Sequence, residues 1–217
     1  MDILVDLDGT MIDPKAGIIG SLQFALRRLG CDVPAAATLH WVIGPSLRST
    51  LAKLAVPAER IEDGIAAYRE HYRGGAMFDF SVYDGIDAAL AGLVQQGHRL
   101  IVATAKPHVF AKPILERAGL ARYYAAVHGA ELDGRNDDKA DLIRHIIAVE
   151  GVATSNAVMI GDRMHDARAA KLNAMACIGV TWGYGSADEL TAAGATALIA
   201  APDALCSAIA TLAARRA

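Results

Sequence analysis

The chain has 217 residues, 53% of them hydrophobic and 21% charged, so it can bury a sizeable core and is not a disordered polar tract. Its 21 Lys and Arg against 24 Asp and Glu give a net charge of -3, with no basic excess to neutralise a nucleic-acid backbone, and no nucleic-acid partner is expected. The 20 Gly and 7 Pro follow no period, which excludes collagen and repeat arrays.

The amino end, Met1-Asp2-Ile3-Leu4-Val5-Asp6, lacks a cationic region before its apolar run. No signal peptide is expected, and a cytoplasmic location is. Ile3-Leu4-Val5 is a short apolar run closed by Asp6, the pattern of a buried parallel strand. From about residue 15 to 78 only helical stripes occur: Ile18, Leu22, Ala25, Leu26 and Leu29; then Leu47, Leu51 and Leu54; then Ile61, Ile65, Tyr68 and Tyr72. The chain then alternates. Ile86, Leu90 and Leu93 mark a helix, Leu100 to Ala103 a strand, and Phe110, Ile114, Leu115 and Ala118 a helix kinked at Pro113 and ended by Gly119. Leu142, Ile143, Ile146 and Ile147 mark another helix. Val158 to Ile160, Cys177 to Val180 and Ala197 to Ala200 read as strands, with a capping box of Ser186 and Glu189 opening a helix through Leu190. A terminal helix buries Leu205, Ile209 and Leu212 and sets Arg215 and Arg216 at its negative end. Pro202 and Asp203 interrupt the apolar tail, so no membrane span is expected. The fold class is α/β: a parallel-sheet core of residues 1–14 and 79–217, with an all-helical insert of residues 15–78 after the first strand. Cys31, Cys177 and Cys206 form no close pair, which fits a reducing compartment better than a disulfide framework or a zinc knuckle.

Ligands of open parallel sheets bind beyond the carboxyl ends of the strands. Three strand ends carry candidates there: Asp6-Leu7-Asp8-Gly9-Thr10, Thr104-Ala105-Lys106, and Gly161-Asp162 followed by Asp166. Turn chemistry alone explains any single strand-end Asp. The combination is harder to dismiss. Asp6 and Asp8 repel unless a cation or proton lies between them, and Asp162 adds a third carboxylate. Carboxylates with water suit Mg²⁺. A chance Asp-x-Asp-Gly-Thr arises roughly once in hundreds of chains of this length. A calcium loop starting at Asp6 would need Gly at its sixth place and Glu at its twelfth, where Met11 and Gly17 stand. That reading fails. A metal beside an Asp oxygen suits nucleophilic attack on phosphorus, and the charge spreading over the phosphoryl oxygens needs donors. Thr104 offers a hydroxyl, Ala105 an amide expected at a helix N-terminus, and Lys139 a cation at a helix start.

In order and spacing, DLDGT (Asp6, Asp8), Thr104, Lys139 and GDRMHD (Asp162, Asp166) resemble the haloacid dehalogenase superfamily of aspartate-nucleophile phosphohydrolases. The resemblance covers essentially the whole chain. The helical insert, GPSLRSTL (Gly44 to Leu51), VYDGI (Val82 to Ile86), VATAKP and GDRMHDARAAKLN resemble its phosphoglycolate phosphatase-like branch and the related 5′-nucleotidase-like one. This implies a Rossmann-like core with a helical cap and Mg²⁺-dependent hydrolysis of a small phosphorylated metabolite through an aspartyl-phosphate. It implies Asp6 as nucleophile and Asp8 as general acid and base. Asp6, Asp8 through its backbone carbonyl, and Asp162 would bind Mg²⁺, and Asp166 would orient metal-bound water. Gly9, Thr10, Thr104, Ala105 and Lys139 would surround the phosphoryl group. Ala105 stands where many relatives carry Ser or Asn, but only its backbone donor is needed. Asp8 separates the chain from the relatives that displace halide from carbon. A β-phosphoglucomutase-like phosphomutase and a non-catalytic phosphate-ligand binder remain alternatives, and either a monomer or a homodimer is compatible. In the insert, Arg48 is the residue expected to meet a carboxylate or second phosphate of the substrate. Gly183-Tyr184-Gly185-Ser186 lacks the third Gly of a dinucleotide fingerprint, and no GxxxxGK[ST] loop occurs.

Overall fold

Apolar segments too short for buried helices pair into one parallel sheet in the computed structural model, which describes residues 1–214. In chain order the strands are β1 (Asp2–Val5), β2 (Ile12–Asp13), β3 (Ser81–Val82), β4 (Arg99–Pro107), β5 (Tyr124–Ala130), β6 (Ala157–Gly161), β7 (Ala176–Val180) and β8 (Ala197–Ile199). The α-helices are α1 (Lys15–Leu29), α2 (Leu47–Lys53), α3 (Ile61–Arg73), α4 (Ile86–Gln95), α5 (His108–Arg117), α6 (Lys139–Glu150), α7 (Met164–Leu172), α8 (Ala187–Ala193) and α9 (Leu205–Ala214). The chain divides into two units, Met1–Ile12 with Val82–Ala217, and Asp13–Ser81.

The first unit holds a six-stranded sheet in the order β5-β4-β1-β6-β7-β8, with every pairing parallel. β1 is central: Ile3, Leu4 and Val5 lie opposite Leu100, Ile101 and Val102 on one side and Val158, Met159 and Ile160 on the other. The passage from β5 through α6 to β6 carries the chain across β1, and this reversal of strand order opens a crevice at the carboxyl ends of β1, β4 and β6. Pleating puts alternate residues on one face. Leu4, Ile101, Ala103, Met159 and Cys177 share the face that packs on Leu142, Ile143 and Ile146 of α6 and Ala167, Ala169 and Ala170 of α7. Residues 139–150 wind into α6 because this stripe recurs at helical spacing, Asp138 caps its start and Gly151 takes the left-handed conformation at its end.

The expected strands and helices are present, with the short strands β2 and β3 unexpected and with three further differences. β5 has no apolar run; Tyr124-Ala-Ala-Val-His-Gly-Ala is a half-exposed edge strand, where the hydrophobic signal is weakest. β4 continues to Pro107, so α5 begins at His108 and the amide of Ala105 lies in a strand, not at a helix N-terminus. Pro107 lacks the N–H that would continue the ladder, and the turn into the helix starts there. Ser186 caps α8 by accepting from the Glu189 amide, but the Glu189 carboxylate bonds Arg163 and Met164 rather than closing a capping box. The Arg215 and Arg216 expected at the end of α9 lie outside the described residues.

The second unit is helical. α1 packs against α3, where Gly64 leaves room for Leu29 and Leu51, and Ser21 Oγ lies 3.0 Å from His71 Nδ1. Among the described residues no helix is long and apolar enough to cross a membrane.

Ile143 lies wholly buried between α6 and the sheet. Ile143→Ala should therefore cost about 2–5 kcal/mol of stability. Urea denaturation would show this as a lower midpoint with the slope unchanged; an unmoved midpoint would contradict the packing described.

Candidate active site

The loop after β1 is built around backbone hydrogen bonds. The Asp6 amide still bonds Ile160 O at 2.9 Å, so Asp6 leaves the sheet in register. Gly9 then turns the chain at φ +83° and its amide bonds Ile12 O at 2.8 Å, while the amides of Thr10 and Met11 both reach Leu7 O. A side chain at Gly9 would not fit: a Cβ there would lie 2.2 Å from Asp162 Oδ2. The hydroxyl of Thr10 donates to Asp162 Oδ1 at 3.3 Å. Gly9 and Thr10, expected at the phosphoryl group, thus direct their amides into the turn, and Thr10 anchors an acid instead.

Lys139 is the organising cation. It is 7% exposed, far from a solvated surface lysine, because it opens α6 at the carboxyl ends of the central strands. Its Nζ donates to Asp6 Oδ1 at 2.7 Å and to Ala103 O at 2.8 Å, and lies 3.0 Å from Asp166 Oδ1. An ammonium has three protons, and here three oxygens surround it. Burial pulls the Lys139 pKa down, but Asp166 and Asp6 outweigh it and hold the group above the ordinary lysine value.

The acids follow the strand ends. Asp162, fully buried after β6, accepts from the Tyr184 amide at 2.7 Å. Asp166, in the first turn of α7, accepts from the Arg163 amide at 3.1 Å. Asp6, Asp162 and Asp166 each offer an oxygen within 4.8 Å of the others. Burial raises Asp162 well above the usual carboxylate range, reinforced by Asp166 and Asp6. Asp166 is pushed up to about 6, chiefly by burial, with Lys139 opposing and Asp6 adding to the rise. Three buried carboxylates facing one ammonium are an anionic donor set of hard oxygens, which fits Mg²⁺.

Asp8 stands apart from this trio. Its Oδ2 lies 2.9 Å from Lys106 Nζ, while Oδ1 is buried and has no hydrogen-bond partner. Burial raises its pKa, and the nearby Lys106 offsets this only in part. Thr104 is buried, and its hydroxyl accepts from the Lys106 amide at 3.2 Å. Arg48 lies in the helical unit, where its exposed guanidinium pairs with Glu62 Oε1 at 2.5 Å.

Four residues at this site have no role in the sequence motifs: Lys106, Trp182, Gly183 and Gly185. Lys106 was legible in principle, because it follows Thr104 at the period of a strand and β4 extends far enough to carry both. Gly183 and Gly185 were read only as a failed dinucleotide motif. A Cβ on Gly183 would lie 2.3 Å from Gly9 O and 2.4 Å from Asp162 Oδ2, so both loops close on each other only with glycine there. Beside it, Trp182 Nε1 donates to Thr10 O at 3.0 Å.

A family profile described as haloacid dehalogenase-like hydrolase matches residues 3–180. The chain is 46% identical to a 5′-nucleotidase of Pseudomonas aeruginosa over 88% of this chain and 87% of that protein. It is 37% identical to the tyrosine-protein kinase PtkA of Mycobacterium tuberculosis over 86% of this chain, but spans only 64% of that protein's length. Identity is 30% to a phosphoglycolate phosphatase of Cupriavidus necator, over 94% of this chain and 90% of that protein. Among solved structures, one described as a predicted phosphatase from Clostridium acetobutylicum superposes with a TM-score of 0.92 at 37% identity, covering 97% of this chain and 98% of that one.

The raised pKa of Asp166 sets a pH dependence for the metal-free chain. Unfolding returns the carboxyl to its ordinary value of 3.8, so the folded chain binds more protons. The stabilising contribution is complete below about pH 4 and is lost as pH rises through about 6. Asp166→Asn lacks that loss. With a chelator present, the melting temperature of the variant should gain on the unsubstituted chain between those two pH values; a constant difference would contradict the burial argument.

Proposed function

The chain belongs to the haloacid dehalogenase-like hydrolases, and on that footing we propose that it is a phosphomonoesterase whose Asp6 carboxylate takes the phosphoryl group from a small phosphorylated metabolite. One observation carries the reading: Asp6 is held by Lys139 at 2.7 Å among two further buried acids, while the neighbouring Asp8 is kept in a separate pair with Lys106. A binding protein needs an anion site but no second, differently held carboxylate beside it.

In this reading Lys139 orients Asp6 by holding Oδ1 and neutralises part of the charge that gathers as phosphate approaches. An Asp6 oxygen attacks phosphorus, forming an O–P bond as the bond to the leaving oxygen breaks. The leaving oxygen keeps that electron pair and takes a proton from Asp8. Asp8 then takes a proton from water, whose oxygen attacks the aspartyl-phosphate. The Asp6 O–P bond breaks with its electrons returning to the carboxylate, and inorganic phosphate leaves. Thr104 stands beside this centre as the hydroxyl expected to bind a phosphoryl oxygen. Asp6, Asp162 and Asp166, with the backbone carbonyl of Asp8, would hold Mg²⁺, which when bound screens the carboxylates from the phosphate dianion.

Nucleoside 5′-monophosphates rank first among the candidate substrates in this reading, supported by the 46% identity to a 5′-nucleotidase, and phosphoglycolate second, supported by the 30% identity to a phosphoglycolate phosphatase. Kinase activity is not part of the reading, because the chain spans only 64% of the length of PtkA.

Phosphate release from a panel of roughly 50–100 phosphorylated metabolites, with Mg²⁺ supplied, tests the class and the substrate together. Asp6→Asn should lower turnover by more than about a thousandfold and Asp8→Asn by about 10²–10⁴-fold. A chelator should abolish release and added Mg²⁺ restore it. Unimpaired turnover by Asp6→Asn would end the nucleophile assignment.

A further inference from the structure

We infer that Lys106 is a positioning residue: by holding Asp8 Oδ2 it fixes the orientation of the carboxyl that exchanges the proton with the leaving group. The inference rests on the phosphatase reading and adds to it a residue outside the acidic trio. Lys106 lies near the end of β4, buried to 8% exposure, with Nζ 2.9 Å from Asp8 Oδ2. Asp8 Oδ1 is buried and has no hydrogen-bond partner.

Both ends of this pair are rigid. The Lys106 amide donates to Thr104 Oγ1 at 3.2 Å, and its carbonyl lies so close to β5 that a Cβ on Gly129 would come within 2.3 Å of it. Asp8 sits in the turn that bridges to Ile12. A buried ion pair is a poor source of stability, because desolvation of both charges offsets their attraction. What it does supply is direction. A carboxylate on a short side chain can rotate; with Oδ2 tied to Lys106, its orientation is held for giving a proton to the departing oxygen and taking one from water. Lys106 follows Thr104 by two residues and its amide bonds the Thr104 hydroxyl, so a single segment would fix the group that binds the phosphoryl oxygen and the proton donor relative to each other.

This role has a signature that a general structural role lacks. Nitrophenolate leaves phosphorus without a proton, whereas an alkoxide does not. Misdirecting Asp8 must therefore harm an alkyl phosphate more than an aryl one. The probes are glycerol 2-phosphate and p-nitrophenyl phosphate, assayed with Mg²⁺ for the unsubstituted chain, Lys106→Met, Asp8→Asn and the double variant. Lys106→Met should lower kcat/KM on glycerol 2-phosphate at least about tenfold more than on p-nitrophenyl phosphate, within the range general acid catalysis contributes. Once Asp8 is Asn, adding Lys106→Met should change kcat/KM less than about twofold, because residues acting through one another are non-additive. The double variant strands no buried carboxylate, so its comparison with Asp8→Asn stands even if Lys106→Met does not fold. Equal losses on the two probes, no loss on either, or a further drop in the double variant would overturn the inference. Equal losses would instead point to Lys106 touching the phosphoryl group. If the unsubstituted chain releases phosphate from neither probe, its best alkyl phosphate from the metabolite panel takes the place of glycerol 2-phosphate; release from no compound at all overturns the phosphatase reading and this inference with it.

Discussion

One buried ammonium makes the site possible. Asp6, Asp162 and Asp166 come from three separate places in the chain, and without a cation their burial would be prohibitive. Lys139 reaches two of them and a strand carbonyl at once. Three carboxylates against one ammonium still leave two negative charges when all are ionised, the complement of a divalent cation. The raised values of Asp162 and Asp166 express the same imbalance from the protein's side.

The sheet topology delivers these groups. Because strand order reverses at β1, the carboxyl ends of β1, β4 and β6 stand beside one another; β1 and β6 run directly into Asp6 and Asp162, and the last stretch of β4 carries Thr104 and Lys106. α6 enters from the same edge and brings Lys139 as its first residue, since Asp138 caps the helix one position earlier. Close approach then falls to glycine. Gly9 and Gly183 let two loops meet around Asp162, with Trp182 and Tyr184 bonding across the junction. A site of this density excludes side chains wherever backbone must pass.

Much of this was legible residue by residue. Buried parallel strands show as continuous apolar runs, so β1, β6 and β7 could be read directly, and α6 followed from four residues at helical spacing. β5 was not, because an edge strand has one ladder and a partly wet surface, and Ala and His satisfy it as well as Val and Ile. The end of β4 was misread for a related reason: apolarity stops at Ala103, while backbone pairing with β5 continues to Pro107. That continuation is what brings Lys106 to Asp8.

The sequence by itself determined the fold class and the helical segment after the first strand, and it singled out the acids that the structure brings together, because each depends on local period or on the order of residues along the chain. Only the tertiary structure decided how the charges pair. Lys139 with Asp6 spans 133 residues, and Thr10 with Asp162 spans 152. No local pattern encodes such partners, because a lysine that is solvated and one that is buried carry the same side chain, and the surrounding packing alone separates them.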